Sequence, residues 1–182
     1  MKLFQDDLFP TRIFLVDDLL EEEYVDSMKK DIIKSAKENP RVNWQSHPRL
    51  QHEKKYKALV DKIKLVSEKY FSDMSWQVQQ YQITDMWSNI LKPGEMHRPH
   101  THSNNILSGV YYLQAKPDDK DSIATAAIQF YDPRPQTRIL VPGVNENKKE
   151  NSSIWFYPSV VNRMLMFKGQ IGVPEDFQSA EF

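Results

Sequence analysis

The chain has 182 residues, of which 40% are hydrophobic and 27% charged, with 24 basic and 25 acidic side chains for a formal net charge of -1. That length suits one folded domain over residues 1–182, and the near-neutral balance offers no electrostatic attraction to nucleic acid or to an anionic membrane. Cysteine is absent, which excludes disulfides and thiolate chemistry and leaves nitrogen and oxygen as the donors for any metal.

Residues 1–10 carry Asp6 and Asp7 and lack a basic stretch followed by a long apolar one, so they do not read as a signal peptide. No apolar run reaches bilayer-spanning length, and a cytoplasmic protein is expected. The aromatic and β-branched residues of 9–16 follow Pro10 and predict an opening strand. Asp18 and Glu21 have the spacing of a capping box. Leu20, Tyr24, Met28 and Ile32 then recur every fourth residue, with Val25 and Ile33 widening the stripe, and predict a helix ending at Asn39 and Pro40. Residues 44–48 read as a loop. Tyr56, Leu59, Ile63, Val66 and Tyr70 step by three and four and predict a second helix over 53–71. Both helices read as scaffold.

After Asp73 the periodicity becomes strand-like. Tyr81, Ile83, Asp85, Trp87 and Asn89 fall on one face of 76–91, and Lys92-Pro93-Gly94-Glu95 has the residues of a type II turn. Further strands are predicted over 105–113, 124–131, 137–141, 153–157 and 163–167, with a polar loop at 143–151. Helices first and many short strands afterwards argue for an α+β domain. The layout expected is a two-sheet jelly roll with the two N-terminal helices packed on one sheet.

Three of the five histidines fall at 97, 100 and 102, immediately before the clearest strand. In an extended segment His100 and His102 project from one face, a clamp suited to a divalent metal, and Asn104 and Tyr112 share that parity. His97 has the opposite parity, and Pro99 places it in the loop leading in. Two imidazoles so spaced also suit a plain hydrogen-bonding role.

Trp87-Ser88-Asn89, Gly94, His100-Thr101-His102-Ser103-Asn104, Leu107-Ser108-Gly109-Val110-Tyr111-Tyr112 and Phe130-Tyr131-Asp132-Pro133-Arg134 occur in an order that resembles a family of 2-oxoglutarate and Fe(II)-dependent oxygenases. Trp44-Gln45-Ser46 is similar to that family's upstream W-Q-S segment. The resemblance implies a double-stranded β-helix, the jelly-roll form, with Fe(II) and 2-oxoglutarate as cofactors bound between its sheets. It implies an enzyme that couples oxidative decarboxylation of 2-oxoglutarate to hydroxylation of an unactivated C–H bond in a small-molecule or peptide substrate. A second copy of the chain, as a homodimer, is a further expected partner.

Residue by residue, His100 and His102 match the family's H-x-H and are the expected metal ligands; no catalytic residue beyond them is expected. His102 stands where most related oxygenases carry a carboxylate, so the site is one negative charge poorer. Arg134 and Arg163, with Arg138 beside them, are candidates for the far carboxylate of 2-oxoglutarate, which a bidentate guanidinium suits. Tyr112 and Asn104 are candidates for hydrogen bonds to the ligand. The family's distal histidine and following arginine strand have no counterpart: no histidine follows His102, and the final strand is expected to be missing. Asp85, Glu175 and Asp176 are the acids that could complete the ligand set. The alternative is a non-catalytic jelly-roll binding module descended from such an oxygenase. A third reading is a cupin-like zinc or nickel site.

Overall fold

The computed structural model describes residues 1–92, 95–102, 104–115, 127–134 and 142–171, and the backbone of 179–181. Its strands are β1 (Ile13–Val16), β2 (Trp44–Gln45), β3 (Trp87–Ile90), β4 (Leu107–Tyr112), β5 (Ala127–Tyr131), β6 (Ile154–Pro158), β7 (Met164–Lys168) and β8 (Ser179–Glu181). The helices are α1 (Glu22–Glu38) and α2 (Lys57–Asp73), the second preceded by 3-10 turns at Leu50–His52 and Lys54–Tyr56. The turn expected at Pro93 and Gly94, the strand at 137–141, Arg138, Glu175 and Asp176 lie outside the described residues.

Six strands form one sheet in the order β1-β7-β4-β8-β3-β2, and β5 pairs with β6 in a second. Strand alternation sorts the larger sheet's side chains into two cores. Leu107, Tyr111, Met164 and Met166 point outward and join Val25, Met28, Ile32, Leu59, Ile63, Val66 and Tyr70 of the helices. Val110, Tyr112, Leu165 and Phe167 have the other parity and meet Ile128 and Phe130 of the second sheet. The result is the α+β jelly roll that the sequence predicts, with both helices on one face of one sheet.

Several local readings differ. Residues 44–45 form a strand rather than a loop, because Trp44 and Gln45 pair antiparallel with Ile90 and Asn89 and Trp44 is buried. Only 87–90 of the expected 76–91 strand is regular; most of 75–85 is exposed and gains no pairing partner. The Asp18–Glu21 capping box does not form: α1 has Glu21 at its N-cap with no side-chain cap, and Asp18 sits at φ 51°. The approach to the helix is held instead from 142 residues away. Asn162 Nδ2 donates to the Leu20 carbonyl at 2.7 Å, and its Oδ1 accepts from the Leu20 N–H at 3.0 Å. A strand over 179–181 is present, contrary to expectation, and lies between β4 and β3; no arginine follows Arg163.

Arg163 is clamped by Asp17, whose two carboxylate oxygens accept from Nε and Nη2 at 2.5 and 2.8 Å. The hydrogen bond from Arg163 holds the Asp17 carboxyl below its ordinary value, against the opposing effect of burial. A depressed folded-state value means that the pair's stabilisation is present above the unfolded carboxyl's pKa and is lost as pH falls through the folded one. Asp17 is half exposed, so Asp17→Asn should cost less than about 1 kcal/mol at pH 7. Thermal melts below pH 4 should show the gap to wild type closing. Among the described residues no helix is long and apolar enough to cross a membrane.

Candidate active site

The segment before β4 is docked against the end of β7 by its backbone. The His102 N–H donates to the Gly169 carbonyl at 2.7 Å, the Gly169 N–H to the Ile106 carbonyl at 3.1 Å, and the Asn105 N–H to the His102 carbonyl at 3.0 Å. This approach needs glycine at 169. A Cβ there would stand 2.6 Å from the His102 carbonyl oxygen and closer still to that of Asn105, and neither backbone atom can swing aside. The position is therefore set by crowding, with no demand for left-handed backbone.

So anchored, the two imidazoles come together. The ring centres of His100 and His102 are 4.9 Å apart with planes at 71°, and Trp87 lies beside His102 at 6.2 Å between centres. His100 Nδ1 is 2.9 Å from the Arg98 carbonyl. A carbonyl can only accept, so Nδ1 carries the proton and, in the neutral ring, Nε2 keeps its lone pair for a ligand. If both rings turn a nitrogen toward one ion at about 2.1 Å, their centres lie about 3.2 Å from it, and the observed separation then subtends about 100° there. The pair fits a metal held in tetrahedral or octahedral fashion. His97 does not join it; its Nε2 is buried and makes no hydrogen bond among the described residues.

Among the described residues no group of three or more histidine or acidic side chains could hold a metal ion. Asp85 is exposed and does not complete the pair. The other candidates divide by position. Asn104 follows the histidines in an exposed turn. Tyr112 is buried on the inner face of β4, but its N–H donates to the Arg163 carbonyl, at the opposite end of β7 from Gly169. The five residues of β7, Met164–Lys168, separate Arg163 from Gly169, roughly 20 Å, so Tyr112 and Arg163 face the histidines across the length of the sheet. Arg134 pairs with Asp132, donating from Nε at 3.0 Å and from Nη2 at 2.7 Å, while its own backbone N–H bonds Oδ1 of the same carboxylate. The D-P-R block is in this way a self-closed turn at the end of β5.

Arg134 lines a cavity of about 480 Å³ on the inner side of the second sheet, together with Phe130, Trp155, Tyr157, Lys149 and Ile171. Ile171 lies two residues beyond Gly169, which puts this cavity on the histidine side of the molecule. Sequence reasoning missed Gly169 as an anchor and the Trp155–Tyr157 face as a cavity wall. The second was legible as two aromatic residues of one parity directly after a polar loop.

Residues 85–172 match the family model described as "Putative 2OG-Fe(II) oxygenase". No curated protein matches the chain in sequence. Among solved structures, a Pseudomonas putida prolyl-4-hydroxylase is similar at 10% identity and TM-score 0.66, over 96% of this chain and 92% of that one. A Trichoplax adhaerens prolyl hydroxylase in complex with a hypoxia inducible factor peptide follows at 11% identity and TM-score 0.59, over 93% and 80%. HygX from Streptomyces hygroscopicus, with nickel and 2-oxoglutarate bound, gives 8% and 0.60, over 94% and 80%. At these identities the likeness is one of fold, and it is the double-stranded β-helix. The motif block around His100 and His102, the fold and the family match over 85–172 agree in what this chain is similar to: the 2-oxoglutarate and Fe(II)-dependent oxygenases.

Proposed function

We propose that this oxygenase binds Fe(II) through His100 and His102 and hydroxylates a small-molecule or peptide substrate, with 2-oxoglutarate as co-substrate. The observation that carries the reading is the pairing of the two imidazoles, with the His100 Nδ1–H committed to a carbonyl. When bound, iron with 2-oxoglutarate supplies the activated oxygen that inserts into a C–H bond. The chain's own residues do the holding. Arg98 fixes the His100 tautomer, Gly169 fixes the height of His102, and Trp87 walls the second imidazole. Arg134 is the cation we assign to the far carboxylate of 2-oxoglutarate, which would replace Asp132 in the same bidentate geometry. Arg163 is set aside for this role because of its distance and its bond to Asp17. Asn104 remains a candidate hydrogen-bond donor to ligand, and an acid at 175 or 176 the candidate third ligand. The substrate class is drawn from the peptide in the Trichoplax complex and the small-molecule setting of a related α-ketoglutarate-dependent epimerase of nogalamycin biosynthesis. A cytoplasmic location fits Fe(II) chemistry in a reducing compartment, and a homodimer is the assembly we would look for first.

A second reading, a jelly-roll module that binds without catalysis, is favoured by the lack of a third metal-binding side chain among the described residues. One experiment separates the two. Anaerobic Fe(II) and 2-oxoglutarate should give the visible charge-transfer absorption of a chelated complex, and His100→Ala or His102→Ala should remove it, with metal affinity falling at least about 100-fold. Wild-type protein that shows no such absorption at millimolar 2-oxoglutarate would support the module instead.

A further inference from the structure

The cavity inside the second sheet has a feature that metal and co-substrate binding do not use. In β6, Trp155 and Tyr157 share one face, and Trp155 pairs with Phe130 across the ladder. The Tyr157 ring stands edge-on to Phe130 at 5.7 Å. The Lys149 ammonium sits over both open rings, 5.8 Å from the centre of Trp155 and 5.7 Å from that of Tyr157. Lys149 makes no ion pair among the described residues, so the rings are the partners its charge has there. Trp155 and Tyr157 are only half-buried, a cation over such partly solvated faces is held weakly, and a competing ammonium could take its place.

The charge of the wall favours such a competitor. Asp132 and Arg134 neutralise each other. That leaves Asp6, Asp7 and Glu150 against Lys149 on the lining, three negative charges to one positive, and none of the three acids is ion-paired among the described residues. Cavity volume, aromatic faces and net charge agree on the occupant. We propose that this cavity binds an alkylammonium group, as carried by a lysyl side chain or an N-alkylated amine, with Lys149 standing in for it in the free protein.

Binding does not depend on the oxygenase assignment; only the further step, that the bound amine is the substrate's recognition handle, rests on it. The test titrates the metal-free chain with choline and with its uncharged isostere 3,3-dimethylbutan-1-ol, following the indole N–H resonances by NMR and assigning Trp155 through Trp155→Phe. Choline should shift the Trp155 signal and bind about tenfold or more tighter than the isostere. Lys149→Gln, a surface change that leaves the fold alone, should tighten choline severalfold by removing the internal competitor. Equal binding of the two probes, or weaker choline binding by Lys149→Gln, would overturn the proposal. The charge-transfer absorption is recorded separately on the same variants. Its absence with choline binding intact sinks the iron reading alone, and its presence without choline binding sinks this one alone.

Discussion

Gly169→Ala should weaken Fe(II) binding roughly 10–100-fold, the range found when a group that orients metal ligands is removed, while far-UV circular dichroism stays as in wild type. The new methyl would meet the carbonyl oxygens of His102 and Asn105. Both are backbone, so the strand end and the histidine segment must separate. Separation lengthens the bond from the His102 N–H to the Gly169 carbonyl, now 2.7 Å, and His102 moves with its own backbone. His100, bonded to Arg98 within the segment, would be carried along, so the pair is displaced relative to the sheet rather than split. The helix-facing core draws nothing from this contact, which is why the fold should survive. Gly143→Ala is the control, since a Cβ there meets nothing within 4 Å and should leave affinity unchanged. Competition against a chelator of known affinity checks both, and an unchanged value for Gly169→Ala would show that the histidines are positioned by something else.

The largest loss of stability is expected for Asn162→Ala, about 2–4 kcal/mol, or roughly 5–15 °C in Tm. Asn162 Oδ1 accepts from the Tyr111 hydroxyl at 2.7 Å as well as from Leu20, and its Nδ2 donates to the Leu20 carbonyl. Its backbone closes the turn before β7, with the N–H on the Tyr112 carbonyl and its carbonyl accepting from Leu19. Tyr111 is fully buried, and burial pushes its phenol well above the ordinary value, so it stays a donor that must find an acceptor. Alanine leaves that hydroxyl unsatisfied and must also adopt φ 66°, a conformation that asparagine tolerates and alanine resists. Asn162→Gly isolates the two effects. It relieves the backbone but still lacks the side-chain hydrogen bonds, and chemical denaturation should place it between wild type and Asn162→Ala.

Much of this architecture was readable from periodicity. Val110 and Tyr112 against Tyr111, and Leu165 and Phe167 against Met164 and Met166, alternate strictly because each face of the larger sheet meets a different core. The helix stripes at Leu59, Ile63 and Val66 are equally plain. Periodicity failed where contacts between distant residues decide the outcome. Trp44 becomes a strand only because Ile90 lies opposite, and the entry to α1 is fixed by Asn162 rather than by a neighbouring cap. At the candidate site, H-x-H parity correctly implied that His100 and His102 meet. Parity also grouped Tyr112 with them, yet sharing a face says nothing about distance along the strand, and Tyr112 sits beside Arg163 at the other end. Arg134 looked like a ligand-binding residue by motif, and within the fold it pairs first with Asp132.

The placement of β8 bears on how the chain is made. Residues 179–181 slot between β4 and β3, strands that leave the ribosome some seventy to ninety residues sooner. Until that late insertion both keep open hydrogen-bonding edges, the kind of surface that recruits other nascent chains. Fragments lacking these residues should therefore accumulate in the pellet, whereas loss of residues 1–5, which lie outside every ladder, should leave the yield of folded protein intact.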